Sequence, residues 1–254
     1  MSKNIKHLAR DGINYLLGFA DIELVRKNKP FTDFRDYIPF EETIAAARKT
    51  GMSVGDYIEL IYNQPGAAKR TIDQLAQLGV FSGRIDRMCE IGPGSGRYLE
   101  KVLSLCKPSY CEIYETAPDW EQWLVEQYKV VALPADGSSL VHTPSASLDL
   151  VQAHKVMPGQ PSLTSCRYYG EMARVTRPDG WVVFDIVTEL CLDEATLARW
   201  IETGFGYQHY PALMPRQFTI EFFERRGFAF AGSFLVPMEP GTTECFAFVR
   251  RSVR

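Results

Sequence analysis

The stretch RMCEIGPGSGRYL, residues 87–99, decides how the rest of this chain is read. It opens as a short apolar strand and places an acid at Glu90. Glycines follow at Gly92, Gly94 and Gly96, and then a helix begins. Glycine at that spacing lets the backbone turn tightly from strand to helix and lets a ligand approach bare main chain, because no Cβ intervenes. The first turn of the new helix offers N–H groups that lack intrahelical partners. A small molecule with a polar, partly anionic end is expected there.

Two common readings of such a loop fail on spacing. The dinucleotide fingerprint G-x-G-x-x-G needs a third glycine at position 97, where Arg97 stands. The phosphate-cradling loop needs Lys-Ser or Lys-Thr after its last glycine, and neither follows here. What remains is acid-x-Gly-x-Gly-x-Gly, Glu90 to Gly96. It resembles motif I of the class I S-adenosylmethionine-dependent methyltransferases. Their cofactor has no pyrophosphate but carries an ammonium group, from which an acid ahead of the glycines accepts directly or through water.

The sequence downstream keeps the order of motifs that this resemblance implies. Residues 110–114, YCEIY, alternate and are rich in strand formers; Glu115 closes the run and Thr116-Ala-Pro-Asp opens a helix. An acid about 20 residues past the glycines is where adenosine-binding α/β folds hold the ribose hydroxyls. Glu112 and Asp119 read as strand-face and helix-start charges. At 130–140, VVALPADGSSL, an apolar strand ends at Pro134-Ala135 and Asp136-Gly137 turns the chain. The resemblance implies that Asp136 accepts from the adenine amino group while the Gly137 N–H reaches the ring. In SLDLVQAHKVM, 147–157, a buried strand over 148–153 ends at Ala153-His154, at the strand end where open parallel sheets bind ligands.

A helix around 168–175, the turn RPDG at 177–180 and a strand over 181–187 come next. A helix over 216–226 stopped by Gly227 and a final antiparallel hairpin, 228–237 with 242–250, complete the pattern. The implied fold is α/β: a Rossmann-like, doubly wound seven-stranded sheet with a terminal antiparallel hairpin and an N-terminal helical lid. The implied cofactor is S-adenosylmethionine, held by Glu90, Gly92, Gly94, Gly96, Glu115, Asp136, Gly137 and His154.

Composition agrees with a single large α/β domain and an appendage. The chain has 254 residues, is 46% hydrophobic and carries a net charge of −3 with both signs interspersed. That balance argues against a nucleic-acid partner. The Asn/Asp-Pro-Pro-Tyr/Phe signature of base-methylating enzymes is missing after the fourth strand, where Gln152-Ala-His-Lys stands. No apolar run approaches the ~20 residues of a membrane helix, and the N-terminus does not read as a signal peptide. The six cysteines lie scattered without C-x-x-C spacing, which fits buried, reduced thiols in the cytoplasm and no metal site.

The first eighty residues lack alternating strands. Apolar residues at helical spacing mark helices over 41–49 and 54–62, separated by Gly51 as a stop and Ser53 as a cap. The breaker Asn63-Gln-Pro-Gly precedes a further helix over 67–78, closed by Gly79. We divide the chain into a helical lid region, 1–70, and a methyltransferase domain, 71–254. Phe31, Phe34, Tyr37, Phe40, Tyr57 and Tyr62 are placed to line an acceptor pocket or simply to pack helix on helix. The segment 188–217, with Trp200, Phe205, Tyr207, His209, Tyr210 and the PALMP turn, should overhang the site.

Methyl transfer from a sulfonium asks mainly for alignment, plus removal of a proton when the nucleophile is a hydroxyl. His154 is the first candidate base, since an unperturbed imidazole titrates near ~6.5; His209 and Asp185 are the others. His7 and His142 read as surface residues. Tyr57, Tyr62, His209, Tyr210 and Arg216 are the candidate acceptor-binding residues. Together they suit a small polar acceptor, a sugar or saccharide hydroxyl first. A phenol, amine or carboxylate metabolite is the alternative acceptor, and a non-catalytic adenosylmethionine-binding domain the alternative function. Oligomeric state, including a homo-oligomer, is left open.

Overall fold

A computed structural model of the chain describes residues 38–204, 212–238 and 241–252. The chain divides into two compact units, Met1–Thr32 and Asp33–Arg254, and every described element belongs to the second. Among the described residues three helices come first: α1 (Phe40–Thr50), α2 (Val54–Tyr62) and α3 (Ala67–Gln77). Gly51 ends α1 at φ 70°, and the Ser53 hydroxyl caps α2 by accepting from the Asp56 N–H at 3.1 Å.

The sheet follows, with β1 (Arg87–Ile91), β2 (Tyr110–Tyr114), β3 (Val131–Ala132), β4 (Leu148–Ala153), β5 (Thr176–Ile186), β6 (Phe228–Pro237) and β7 (Thr242–Arg250). Helices α4 (Arg97–Cys106), α5 (Pro118–Tyr128), α6 (Ser162–Val175), α7 (Glu194–Gly204) and α8 (Arg216–Glu224) connect the strands. The strand order is β3-β2-β1-β4-β5-β7-β6, with β7 antiparallel to both its neighbours. The order reverses between β1 and β4, so the crevice outside their C-terminal ends is where such a sheet binds ligands.

Both faces of the sheet are covered by apolar side chains. On one face Met88, Leu150 and Val183 pack with Leu75 of α3, Leu99 of α4 and Leu124 of α5. On the other, Val151, Phe184, Phe246 and Phe248 pack with Tyr169 of α6 and Phe223 of α8; Phe223 and Phe248 stack at 4.5 Å. A smaller cluster joins Ile44 of α1 and Ile58 of α2 to Trp120 of α5. Through it the two leading helices lie beside the chain that leaves β2.

Three expectations need adjustment. The strand expected to reach Pro134-Ala135 spans only Val131–Ala132, at the edge of the sheet, where Pro134 has no N–H to offer. The RPDG segment does not precede β5 but lies within it. Thr176 already pairs with Leu148, the chain bulges through Asp179 at φ 62°, and pairing resumes at Trp181 with Leu150. Glu112, read as a strand-face charge, is buried and accepts from the hydroxyls of Thr143 and Tyr110. His142 is exposed, as expected.

Candidate active site

The glycine loop joins β1 to α4 with Gly92, Gly94 and Gly96 at φ 59°, 52° and 71°. All three adopt the left-handed conformation, which a side chain disfavours. A Cβ on Gly92 would fall 2.7 Å from Val156, and one on Gly96 would fall 2.8 Å from Leu124 and 2.9 Å from Tyr128. Those two glycines therefore let the loop close against its neighbours. The residue that touches the carboxylate of the next strand is Gly94, whose N–H donates to Glu115 Oε2 at 2.8 Å.

Glu115 stands one residue beyond the end of β2 and is almost fully buried. Its second oxygen, Oε1, accepts from the Ala117 N–H at 2.9 Å. Glu90 lies opposite Gln152 in the β1–β4 ladder, and Gln152 Nε2 donates to Glu90 Oε2 at 2.6 Å. Burial raises the Glu90 carboxyl to about 8, so at neutral pH it holds its proton until a positive charge arrives. The Gln152 Oε1 and the Arg97 Nη1, both buried, have no hydrogen-bond partner among the described residues.

Asp136 caps its own turn: Ser138 and Ser139 donate both their N–H and their hydroxyls to it. Partial burial opposes its charge, but those bonds outweigh burial and hold the carboxyl at about 2. Gly137, at φ 74°, has open space where a Cβ would be.

His154 extends β4 by one residue. Its ring stacks on Tyr98 of α4 at 4.1 Å and 19°, and its buried Nε2 has no partner among the described residues. Burial lowers it to about 4, with Lys155 and Arg97 acting in the same direction and Asp185 against. The imidazole is thus neutral at pH 7 but a weaker base than the value near ~6.5 would make it. Asp185, on β5, is buried and accepts from the Lys155 N–H at 2.6 Å, from Lys155 Nζ at 3.0 Å and from the Thr243 hydroxyl at 2.5 Å. Burial opposes its charge, but Lys155 and the other donors hold the carboxyl below its ordinary range.

Other expected residues are more dispersed. Arg216, at the start of α8, donates from Nε to Glu244 at 2.7 Å and from Nη2 to Ser233 at 3.1 Å, so β6 and β7 hold its guanidinium. Tyr62 packs against the Ile58–Trp120 cluster, and Tyr57 is half-buried. Phe31, Phe34, Tyr37, Phe205, Tyr207, His209 and Tyr210 lie outside the described residues. Sequence reasoning missed Lys155, Gln152 and the Glu59–Arg97 pair. Glu59 Oε1 accepts from the Ala68 N–H at 2.6 Å and lies 3.9 Å from Arg97 Nη1, joining α2, α3 and α4. No local pattern marks any of these, because each finds its partner across the fold. Among the described residues no group of three His, Cys, Asp or Glu side chains is placed to hold a metal, and no helix is long and apolar enough to cross a membrane.

No sequence family matches the chain and no curated protein does. Solved structures do. An O-methyltransferase family protein from Burkholderia thailandensis superposes with a TM-score of 0.62 at 16% identity, covering 98% of this chain and 72% of that one. The N-methyltransferase NodS from Bradyrhizobium japonicum, solved with S-adenosylhomocysteine, gives 0.56 at 17% identity over 78% of this chain and 93% of its own. The cyclase SpnF gives 0.53 at 13% identity over 72% and 81%. The fold is therefore that of the class I S-adenosylmethionine-dependent methyltransferases. Proteins of this fold thus include an O-methyltransferase family protein, an N-methyltransferase and a cyclase, so the fold alone does not set the chemistry.

Proposed function

We propose that this protein transfers the methyl group of S-adenosylmethionine to an oxygen of a small polar acceptor, a sugar or saccharide being the form its aromatic residues suit. One observation carries the reading. Glu90, Gly94, Glu115 and His154 stand at the C-terminal edge of β1, β2 and β4, and the buried His154 Nε2 has no hydrogen-bond partner among the described residues. Bound there, the cofactor would supply an activated methyl group on a sulfonium. Glu90 would accept from its ammonium, Glu115 from the ribose hydroxyls, and Asp136 with the Gly137 N–H would meet the adenine. Neutral His154, with its unpartnered Nε2, would hold a polar group of the acceptor beside the methyl. Helices α1 and α2 would help to cover the site, keeping water from the sulfonium and the acceptor in line.

Calorimetric titration with S-adenosylmethionine, S-adenosylhomocysteine and NAD tests this. Binding of NAD without S-adenosylhomocysteine rejects it. Glu115→Ala should weaken S-adenosylhomocysteine binding by roughly tenfold or more, because charge-assisted hydrogen bonds are lost. Unchanged affinity rejects the ribose role. Incubation with radiolabelled donor and fractionated extracts, followed by identification of the labelled product, gives the acceptor.

A further inference from the structure

Lys155 is the residue after His154, beyond the C-terminal end of β4, and its side chain draws three strands together. Its backbone sits at φ 61°, in the left-handed region that residues with a Cβ rarely adopt. Asp185 of β5 fixes it there, accepting from the Lys155 N–H through Oδ1 and from Nζ through Oδ2. Nζ also donates to the Thr243 hydroxyl on β7. An ammonium has three N–H bonds, and the third finds no partner among the described residues. The Asp185 side chain is 1% exposed and that of Lys155 16%, and the pair stands at the C-terminal edge of β4 and β5, where such sheets bind ligands; burial lowers the Lys155 ammonium from its ordinary range while Asp185 works to raise it.

This arrangement bears on the acceptor, and the argument rests on the methyltransferase reading above. A neutral aliphatic hydroxyl has to lose a proton during transfer. Among the described residues at this edge, Asp185 is already occupied by three donors and Lys155 is its charged partner. His154 is clamped against Tyr98 and neutral, a weak base. We infer that the acceptor oxygen is ionised before transfer, as a carboxylate (on a saccharide, that of a sugar acid rather than a hydroxyl) or a phenolate, and that the free N–H of Lys155 binds it. A lone pair of that oxygen then forms the O–CH3 bond, the S–CH3 bond breaks with its electron pair left on sulfur, and no proton changes hands. The positive charge of the donor and the negative charge of the acceptor cancel, which a site shielded from water favours.

The test compares near-isosteric probes on the complex with S-adenosylhomocysteine: benzoate and 4-nitrophenolate against benzyl alcohol, titrated calorimetrically. The wild type should bind at least one oxyanion about tenfold or more tightly than the alcohol, as expected for a hydrogen bond to a charged group, and the tighter oxyanion names the source. Lys155→Gln should abolish that preference and leave S-adenosylhomocysteine affinity unchanged, while Lys155→Arg should retain it. Equal binding of oxyanion and alcohol by the wild type overturns the inference, and that comparison needs no variant to fold. A preference that survives in folded Lys155→Gln overturns it too. A wild type that does not bind S-adenosylhomocysteine overturns the cofactor reading itself, which is a separate failure.

Discussion

Burial raises the Glu90 carboxyl from 4.5 to about 8. Its proton at neutral pH has two measurable consequences. Binding a ligand with an ammonium beside it should expel that proton. The apparent enthalpy of S-adenosylhomocysteine binding at pH 7 should then differ between phosphate and Tris by nearly one proton's buffer ionisation, and the difference should vanish in Glu90→Gln. The second consequence is for stability. A carboxyl raised on folding contributes stability that is fully present below its unfolded value and lost as pH rises through about 8. Thermal melts should therefore show Glu90→Gln gaining on the wild type between pH 5 and pH 9, by an amount on the order of a few kcal/mol. A parallel pH dependence in both proteins would place Glu90 in water. Glu90, the three glycines and Glu115 were legible in the sequence because spacing along the chain displays them. Lys155 was not, since Asp185 and Thr243 lie 30 and 88 residues away and come within reach only once β4, β5 and β7 pair.

At the scale of elements, the glycine loop is held by its packing neighbours. Gly96 turns in the left-handed conformation directly against Leu124 and Tyr128 of α5, and Gly55 of α2 touches the first residue of α4, where a Cβ would meet the Arg97 Cα at 2.9 Å. Gly96→Ala thus combines backbone strain with a collision and should cost about 1–3 kcal/mol, a fall of several degrees in Tm. It should also displace the first turn of α4 and weaken S-adenosylhomocysteine binding. A melt and a titration that both match the wild type would mean that α5 gives way freely. Most elements here were legible, because apolar runs at 110–114 and 148–153 are bounded by turn residues and match β2 and β4. The failures are also physical. An edge strand of two residues has too short a run to alternate, and the RPDG segment looks like a turn because its bulge uses turn chemistry inside a strand.

For the whole molecule, the thiols report how completely the two faces of the sheet are sealed. All six cysteines are free; Cys89, Cys111, Cys191 and Cys245 are buried, and Cys106 and Cys166 are half-buried. Burial raises Cys106 to about 11 and moves Cys166 up as well. A thiol-specific disulfide reagent should label no more than two cysteines of the native protein at pH 8, slowly, and all six in denaturant. Rapid labelling of more than two would show that the faces open readily. Cysteine spacing made reduced thiols legible, but which of them the core encloses depends on the packing of helices that are distant in sequence.

The final strand in chain order takes an interior seat, wedged between β5 and β6. A nascent polypeptide leaving the ribosome can pair β1, β2 and β4 early, yet it lacks Thr243 and Glu244 until β7 has emerged. Until then Lys155 is missing one of its anchors and Arg216 has no carboxylate from β7. The anchoring of Lys155 and Arg216 is accordingly completed only after β1, β2, β4 and β5 have all been made.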